Sequence, residues 1–367
     1  MVTIKDVARE AKVSVATVSR VLNGSGVVRE ETGRRIREVA TRLSFIPHGG
    51  ARSLSTSRTD TLGVLLPDLY GDFFSEVIRG MDETAQGNGF QLLLSSSHAH
   101  KHGIEAAMRA MRGRVDGVVA MSPGLDSESL SNIPASLPVV LLCSGTSGPA
   151  HSLNIENCSG ARAMVRHLIA GGHSSVAIIK GAVGNYDAAE RLRGYRLALR
   201  DAGIQPRAGL ERDGHFTETG GYAAALELLG QVPRPTAIFA ANDSMAIGAL
   251  SAIRESGLDV PGDIAVAGFD DIPLARYVDP PLSTVRVPIC ELGARAITML
   301  LSSIADKNNG HTRIRGRVST QLKIRDSCGA VPSERPPPAD LHPQPVQSLE
   351  VQRSNTHAMA NNKRRSK

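Results

Sequence analysis

The sequence predicts a small all-α head joined to an α/β body of two doubly wound, parallel-sheet lobes. Three observations carry this. Residues 1–46 hold three short stretches with apolar side chains at helical spacing. Residues 61–328 alternate short continuous apolar runs with helical patterns, the mark of βαβ units whose sheets are covered on both faces. Between them, residues 47–60 are rich in small and polar side chains and read as a linker, and residues 329–367 turn Pro-rich and basic, a composition that predicts disorder.

In the head, Ile4, Val7, Ala8 and Ala11 form an i, i+3, i+4, i+7 stripe, with Thr3 and Asp6 placed as a capping box. The second helix lies in KVSVATVSRVLNG, residues 12–24, with Ser14 as its cap and Val18, Val21 and Leu22 on its inner face. Ala11-Lys12-Val13 leaves room for only a tight turn between the two. A third stripe follows at Ile36, Val39, Ala40 and Leu43.

The outer face of the second helix is unusual. It offers Val15, Ala16, Thr17, Ser19, Arg20 and Asn23, where a solvated face would carry Glu and Lys. Small side chains let a helix enter the major groove of DNA, which is about 12 Å wide. There Val15 and Ala16 could touch thymine methyls or base edges, while Thr17, Ser19 and Asn23 could bond phosphates. Arg20 could reach guanine or a phosphate. Residues 1–60 carry eleven basic against six acidic side chains, in a chain of net charge +6, so the head suits a polyanion. The plainer alternative is a structural three-helix unit.

The body reads as TLGVLLP, a helix through Met81, QLLLSS, a helix near Ala107, VDGVVAM and LPVVLLC. It resumes with SVAIIKG, a helix through Leu199, TAIFAAN, the helix containing SMAIGAL, and DIAVAGF. In open parallel sheets ligands sit beyond the carboxyl ends of strands. That rule selects Asp68 after VLLP, Asn242 and Asp243 after AIFAA, and Asp270 after AVAGF. Asp243 could equally cap the following helix. Phe73, Phe74 and Phe216 stand beside strand ends in a chain with no Trp and could form an apolar wall.

Other functions are poorly served. There is no G-x-S-x-G, P-loop or H-E-x-x-H, and no G-x-G-x-x-G after the first strand of either lobe, so an enzyme is not expected. Cys143, Cys158, Cys290 and Cys328 lack metal-type spacing and fit reduced thiols in the cytoplasm. No apolar run approaches a membrane span, and MVTIKDVARE has no signal-peptide core. His98, His100 and His102 alternate in HAHKH. A solvated loop is the plain reading and a transition metal the sharper one; no metal or cofactor is assigned.

The stretch VTIKDVAREAKVSVATVSRVLNG, with FIP at 45–47 and Ala51, Arg52, Ser53 and Leu54, resembles the lactose-repressor (LacI/GalR) family of bacterial regulators. The resemblance runs over residues 2–328 and implies a helix-turn-helix head on a periplasmic-binding-protein-like body. It implies base reading by Val15, Ala16 and Arg20, backbone contacts by Thr17, Ser19 and Asn23, and a hinge helix whose Leu54 wedges into the minor groove. Gly49 and Gly50 depart from the family, since helix formers are usual there. In the body, Arg191 (in ERLRGY), Asn242 and Asp270 match the polar clamp of sugar-responsive members, and Phe216 the stacking aromatic. Cys143 stands where many relatives have a polar effector contact.

The resemblance thus implies a transcription regulator, most simply a repressor, that binds palindromic double-stranded operator DNA as a homodimer. A small-molecule effector, a carbohydrate by analogy, would sit between the lobes. A cytoplasmic ligand-binding protein, or a DNA binder without ligand control, is the alternative.

Overall fold

The computed structural model describes residues 2–23, 27–45, 58–98, 101–121, 137–145, 150–306 and 313–329. Pro47, Gly49, Gly50, Leu54 and His100, and the tail beyond Gly329, lie outside these residues.

The head comprises α1 (Ile4–Glu10), α2 (Val15–Leu22) and α3 (Glu30–Arg42). Each contributes one stripe to a shared core. Val7, Val18 and Ile36 meet there fully buried, flanked by Ala8, Ala11, Val39 and Ala40. The tight turn between α1 and α2 is made by Lys12 at φ 50°, with Val13 N donating to Ala8 O at 3.0 Å.

The first lobe is built on a sheet of β1 (Thr61–Leu66), β2 (Gln91–Ser96), β3 (Gly117–Ala120), β4 (Val139–Leu142), β5 (His151–Ile155) and β11 (Arg315–Val318). The order is β11-β5-β4-β3-β1-β2 and every pair is parallel. Helices α4 (Asp72–Gly87) and α5 (Lys101–Met111) make crossovers. The second sheet contains β6 (Val176–Lys180), β7 (Glu211–Asp213), β8 (Ala237–Ala240), β9 (Ala265–Asp270), β10 (Ser283–Arg286) and β12 (Gln321–Lys323). Its order is β12-β10-β9-β8-β6-β7. Helices α6 (Asn157–Ala170), α7 (Tyr186–Asp201), α8 (Glu218–Leu229) and α9 (Asp243–Glu255) belong to this lobe. Helix α10 (Ile289–Ala305) returns to pack on α4.

Two features correct the sequence reading. The second sheet is not wholly parallel, because β12 runs antiparallel to β10, with Lys323 opposite Thr284. Only Ser319 and Thr320 separate β11 from β12. Because β11 pairs in the first sheet and β12 in the second, these two residues carry the chain from one lobe to the other. The lobes are also not consecutive in sequence. The chain passes between them after β5, after β10 and after β11, so three strands of backbone join the lobes.

Helices within a lobe approach backbone to backbone. A Cβ at Gly248 of α9 would lie 2.0 Å from Glu218 O of α8, and one at Gly221 of α8 would lie 2.2 Å from Met245 O. Only glycine fits at this crossing.

Candidate functional sites

The base of α2 is the buried Val18, supported by half-buried Val21 and Leu22. Anchoring that face turns the other outward: Val15 is 41% exposed, and Ala16 and Arg20 are exposed beside it. Ser14 caps the helix, its Oγ accepting from Thr17 N at 3.2 Å. The three predicted backbone contacts are half-buried and already engaged. Thr17 Oγ1 lies 2.8 Å from Ser14 Oγ, and Asn23 Nδ2 donates to Ser19 Oγ at 3.2 Å. Hydroxyls and amides keep spare bonding capacity, so these contacts orient the groups without exhausting them.

In the body, four of the predicted residues come together. Arg191 on α7 and Asp270 at the end of β9 are only 3% and 4% exposed. Arg191 Nη2 stands 3.0 Å from Asp270 Oδ1, yet the approach is not aligned as a hydrogen bond, and Oδ1 is buried without one. The rest of the guanidinium is also engaged. Nε donates to Asn157 Oδ1 at 2.8 Å, Nη1 donates to Ala241 O at 2.6 Å, and the plane lies 3.8 Å from the centre of the Phe269 ring. Phe216 is half-buried, its ring centre 5.9 Å from Arg191 Cζ, and it fills the space over Gly181. Asn242 Nδ2 donates to Phe216 O at 3.2 Å.

Sequence reasoning missed two members of this cluster. Asp187 is 5% exposed at the start of α7, and its Oδ1 accepts from Asn157 Nδ2 at 2.6 Å. Asn157 opens α6 and bridges Asp187 to Arg191. The polar strand HSLNI before it was not recognised, which hid Asn157 as a strand-end residue. Burial pushes the carboxyls of Asp187 and Asp270 up to about 6, against the pull of Arg191. Cys143, buried at the end of β4 in the first lobe, has its thiol raised by burial and by the neighbouring Asp187. Two carboxyls thus share one guanidinium, a surplus of acceptors where the lobes meet.

The remaining candidates fare differently. Asn242, not Asp243, caps α9, with Oδ1 accepting from Met245 N at 2.9 Å. Asp243 is fully buried, taking bonds from Thr284 Oγ1 at 2.5 Å and Ile272 N at 2.9 Å, and it ties β9, β10 and α9 together. Asp68 is exposed, its carboxylate turned back onto Leu69 N and Tyr70 N. Phe73 and Phe74 are both half-buried and meet edge to face, their ring centres 5.7 Å apart. Among the described residues no cluster of metal-ligating side chains occurs.

Comparison with known proteins joins the two sites. Residues 3–48 match the family described as bacterial regulatory proteins, lacI family, and residues 165–328 match the periplasmic binding protein-like domain. The HTH-type transcriptional regulator GalS of Salmonella typhimurium is 37% identical over 311 residues, covering 83% of this chain and 91% of that protein. The chain belongs to the lacI family of bacterial regulatory proteins.

The ribose operon repressor of Haemophilus influenzae is 34% identical, covering 85% of this chain and 94% of that protein. Among solved structures, the lac repressor dimer bound to operator and the anti-inducer ONPF matches with a TM-score of 0.79 and 30% identity, covering 90% of this chain and 99% of that one. A complex of the regulator CelR with cellobiose matches at a TM-score of 0.67 and 30% identity, over 89% of this chain and 100% of that one. As a member of the lacI family, the chain is a DNA-binding regulator of transcription, its head on a two-lobed α/β body.

Proposed function

We propose that the chain is a repressor that binds a pseudo-palindromic operator as a homodimer. It responds to a small hydroxylated molecule, a sugar or sugar derivative, held between its lobes, and acts without catalysis in the cytoplasm. The dimer on operator and the cellobiose complex among its structural relatives support both halves of this reading. Residues 1–46 form the reading head, 47–60 the hinge, 61–328 the effector and dimerisation body, and 329–367 a tail.

The observation that carries the effector half is Asp270. Its Oδ1 is sealed where the lobes meet, held only by the misaligned ion pair with Arg191 at 3.0 Å. A carboxylate oxygen with no aligned donor keeps room to accept one, which a ligand hydroxyl would supply. Arg191, Asn242 and Asp270 are the polar clamp in this reading. Phe216 is the stacking wall, and Asp68, Phe73 and Phe74 line the approach from the first lobe. Because the cluster is closed to solvent, the lobes must part to admit a ligand.

On DNA, Val15, Ala16 and Arg20 read bases, Thr17, Ser19 and Asn23 hold phosphates, and Leu54, outside the described residues, wedges the minor groove. The test is a thermal-shift screen of sugars on the purified protein, followed by gel shifts on a duplex selected by the protein from a random library. A sugar that stabilises the protein and alters duplex affinity supports the reading. Stabilising sugars that leave duplex affinity unchanged would remove the regulatory role of the cleft.

A further inference from the structure

We infer that Asp116 is a positioning residue that fixes where the linker leaves the first lobe, and that operator affinity depends on it although it lies far from both sites. The inference rests on the reading of the chain as an operator-binding regulator.

Asp116 directly precedes β3, at the edge of the parallel sheet where strands begin, opposite the edge that leads to Cys143. Its carboxylate reaches upstream of β1. Oδ1 accepts from Thr59 N at 2.7 Å and from Thr59 Oγ1 at 2.9 Å, and Oδ2 accepts from Asp60 N at 3.0 Å. The main chain answers: Asp116 N donates to Thr61 O at 2.8 Å, and Asp60 O accepts from Gln91 N of β2 at 3.0 Å. Asp60 itself sits at φ 50°, so the chain bends where it is held.

A strand entry needs only its ladder bonds. Here one carboxylate gathers three more donors from the last two residues before the strand, which also end the connection to the head. Bonds to a charged acceptor are the stronger kind, because the acceptor is ionised. Without them Thr59 and Asp60 are a swivel that absorbs any displacement of the lobe. With them, the starts of β1, β2 and β3 and the end of the linker move as one piece. Two heads on one duplex must be held at a set separation, so the exit point of each linker sets that separation.

Only an acid serves in full. Asn at position 116 has the same shape but one accepting oxygen, and its amide turns an N–H toward one of the donors. Thr59→Val deletes the hydroxyl bond alone.

The experiment uses the full-length protein and a duplex that the wild type selects from a random library, with a scrambled duplex as control. Fluorescence anisotropy measures both affinities, and hydrogen exchange follows the peptide containing Thr59 and Asp60. Asp116→Asn is expected to speed exchange there and to weaken the selected duplex by about tenfold or more, with the scrambled duplex changed by less than about twofold. Thr59→Val follows in the same direction with a smaller loss. The inference is overturned if exchange quickens while selected-duplex affinity stays at the wild-type value, or if exchange does not change. An equal loss on both duplexes also overturns it, since a damaged fold would do that. A wild type that prefers no sequence defeats the regulator reading itself. A wild type and an Asp116→Asn variant that discriminate equally well defeat this inference alone.

Discussion

Asp270→Asn separates the charge of the buried cluster around Arg191 from its shape. Burial lifts the Asp270 carboxyl from 3.8 to about 6 in the folded chain. An acid raised in this way takes up a proton on folding between those two values. The contribution of Asp270 to stability is therefore greatest at low pH, falls as the pH rises from 3.8 to about 6, and stays at the lower level above. At about 1.4 kcal/mol per pH unit, that shift is worth about 3 kcal/mol at its upper bound. Asn keeps the shape and, like Asp, tolerates the positive φ of 115° at this position.

The amide of Asn does not titrate, so the pH dependence that position 270 contributes is lost, while the neighbouring acids Asp187 and Asp243, no longer facing its charge, ionise more readily. The change in stability from wild type to Asp270→Asn should thus be more favourable at about pH 7.5 than at about pH 4, by about 2 kcal/mol. Urea unfolding followed by circular dichroism at the two pH values measures it. The same variant should bind effector more weakly, so the surplus charge would be a stability cost kept for recognition. Parallel pH dependence in the two proteins would refute the argument, because Asp270 would then carry no proton near pH 6.

Arg20→Ala should weaken a selected duplex far more than a scrambled one if Arg20 reads a base. A loss equal on both, with the salt slope reduced by about one, assigns it to phosphate. Gly248→Ala puts a methyl 2.0 Å from Glu218 O and should lower stability by about 1–3 kcal/mol or more, read as a fall in the urea midpoint. On the reading that residues 47–57 become helical on operator, replacing both Gly49 and Gly50 by Ala would remove about 2 kcal/mol of helix penalty per chain. It should tighten operator binding in gel shifts, and unchanged affinity would make the linker a passive tether.

Much of the head was legible because its determinants are local. Val18, Val21 and Leu22 recur within one helical turn, and Ser14 caps the residue three places on. The core strands were legible for a related reason. Runs such as TLGVLL and VVLL are apolar throughout because both faces of a parallel sheet are covered. Three strands at or next to a sheet edge carry no such signature. RGRV at β11 and QLK at β12 are charged and short, and HSLNI at β5 is polar. Their pairing, and the reversal of β12, follow from the course of a chain that has already visited both lobes.

The buried cluster around Arg191 divides along the same line. By itself the sequence determined that carboxylates and amides stand beyond strand ends, and its likeness to a known family singled out Arg191, Asn242 and Asp270. Which oxygen would lack an aligned donor, and that Asn157 and Asp187 would join the guanidinium, only the tertiary structure decided. Asn157 and Arg191 are 34 positions apart, and Arg191 and Ala241 are 50 apart. Hydrogen bonds across such distances leave no periodic trace in the chain. They form because apolar burial first fixes the helices and sheets, and the polar groups caught at the lobe junction then pair with whatever lies within about 3 Å.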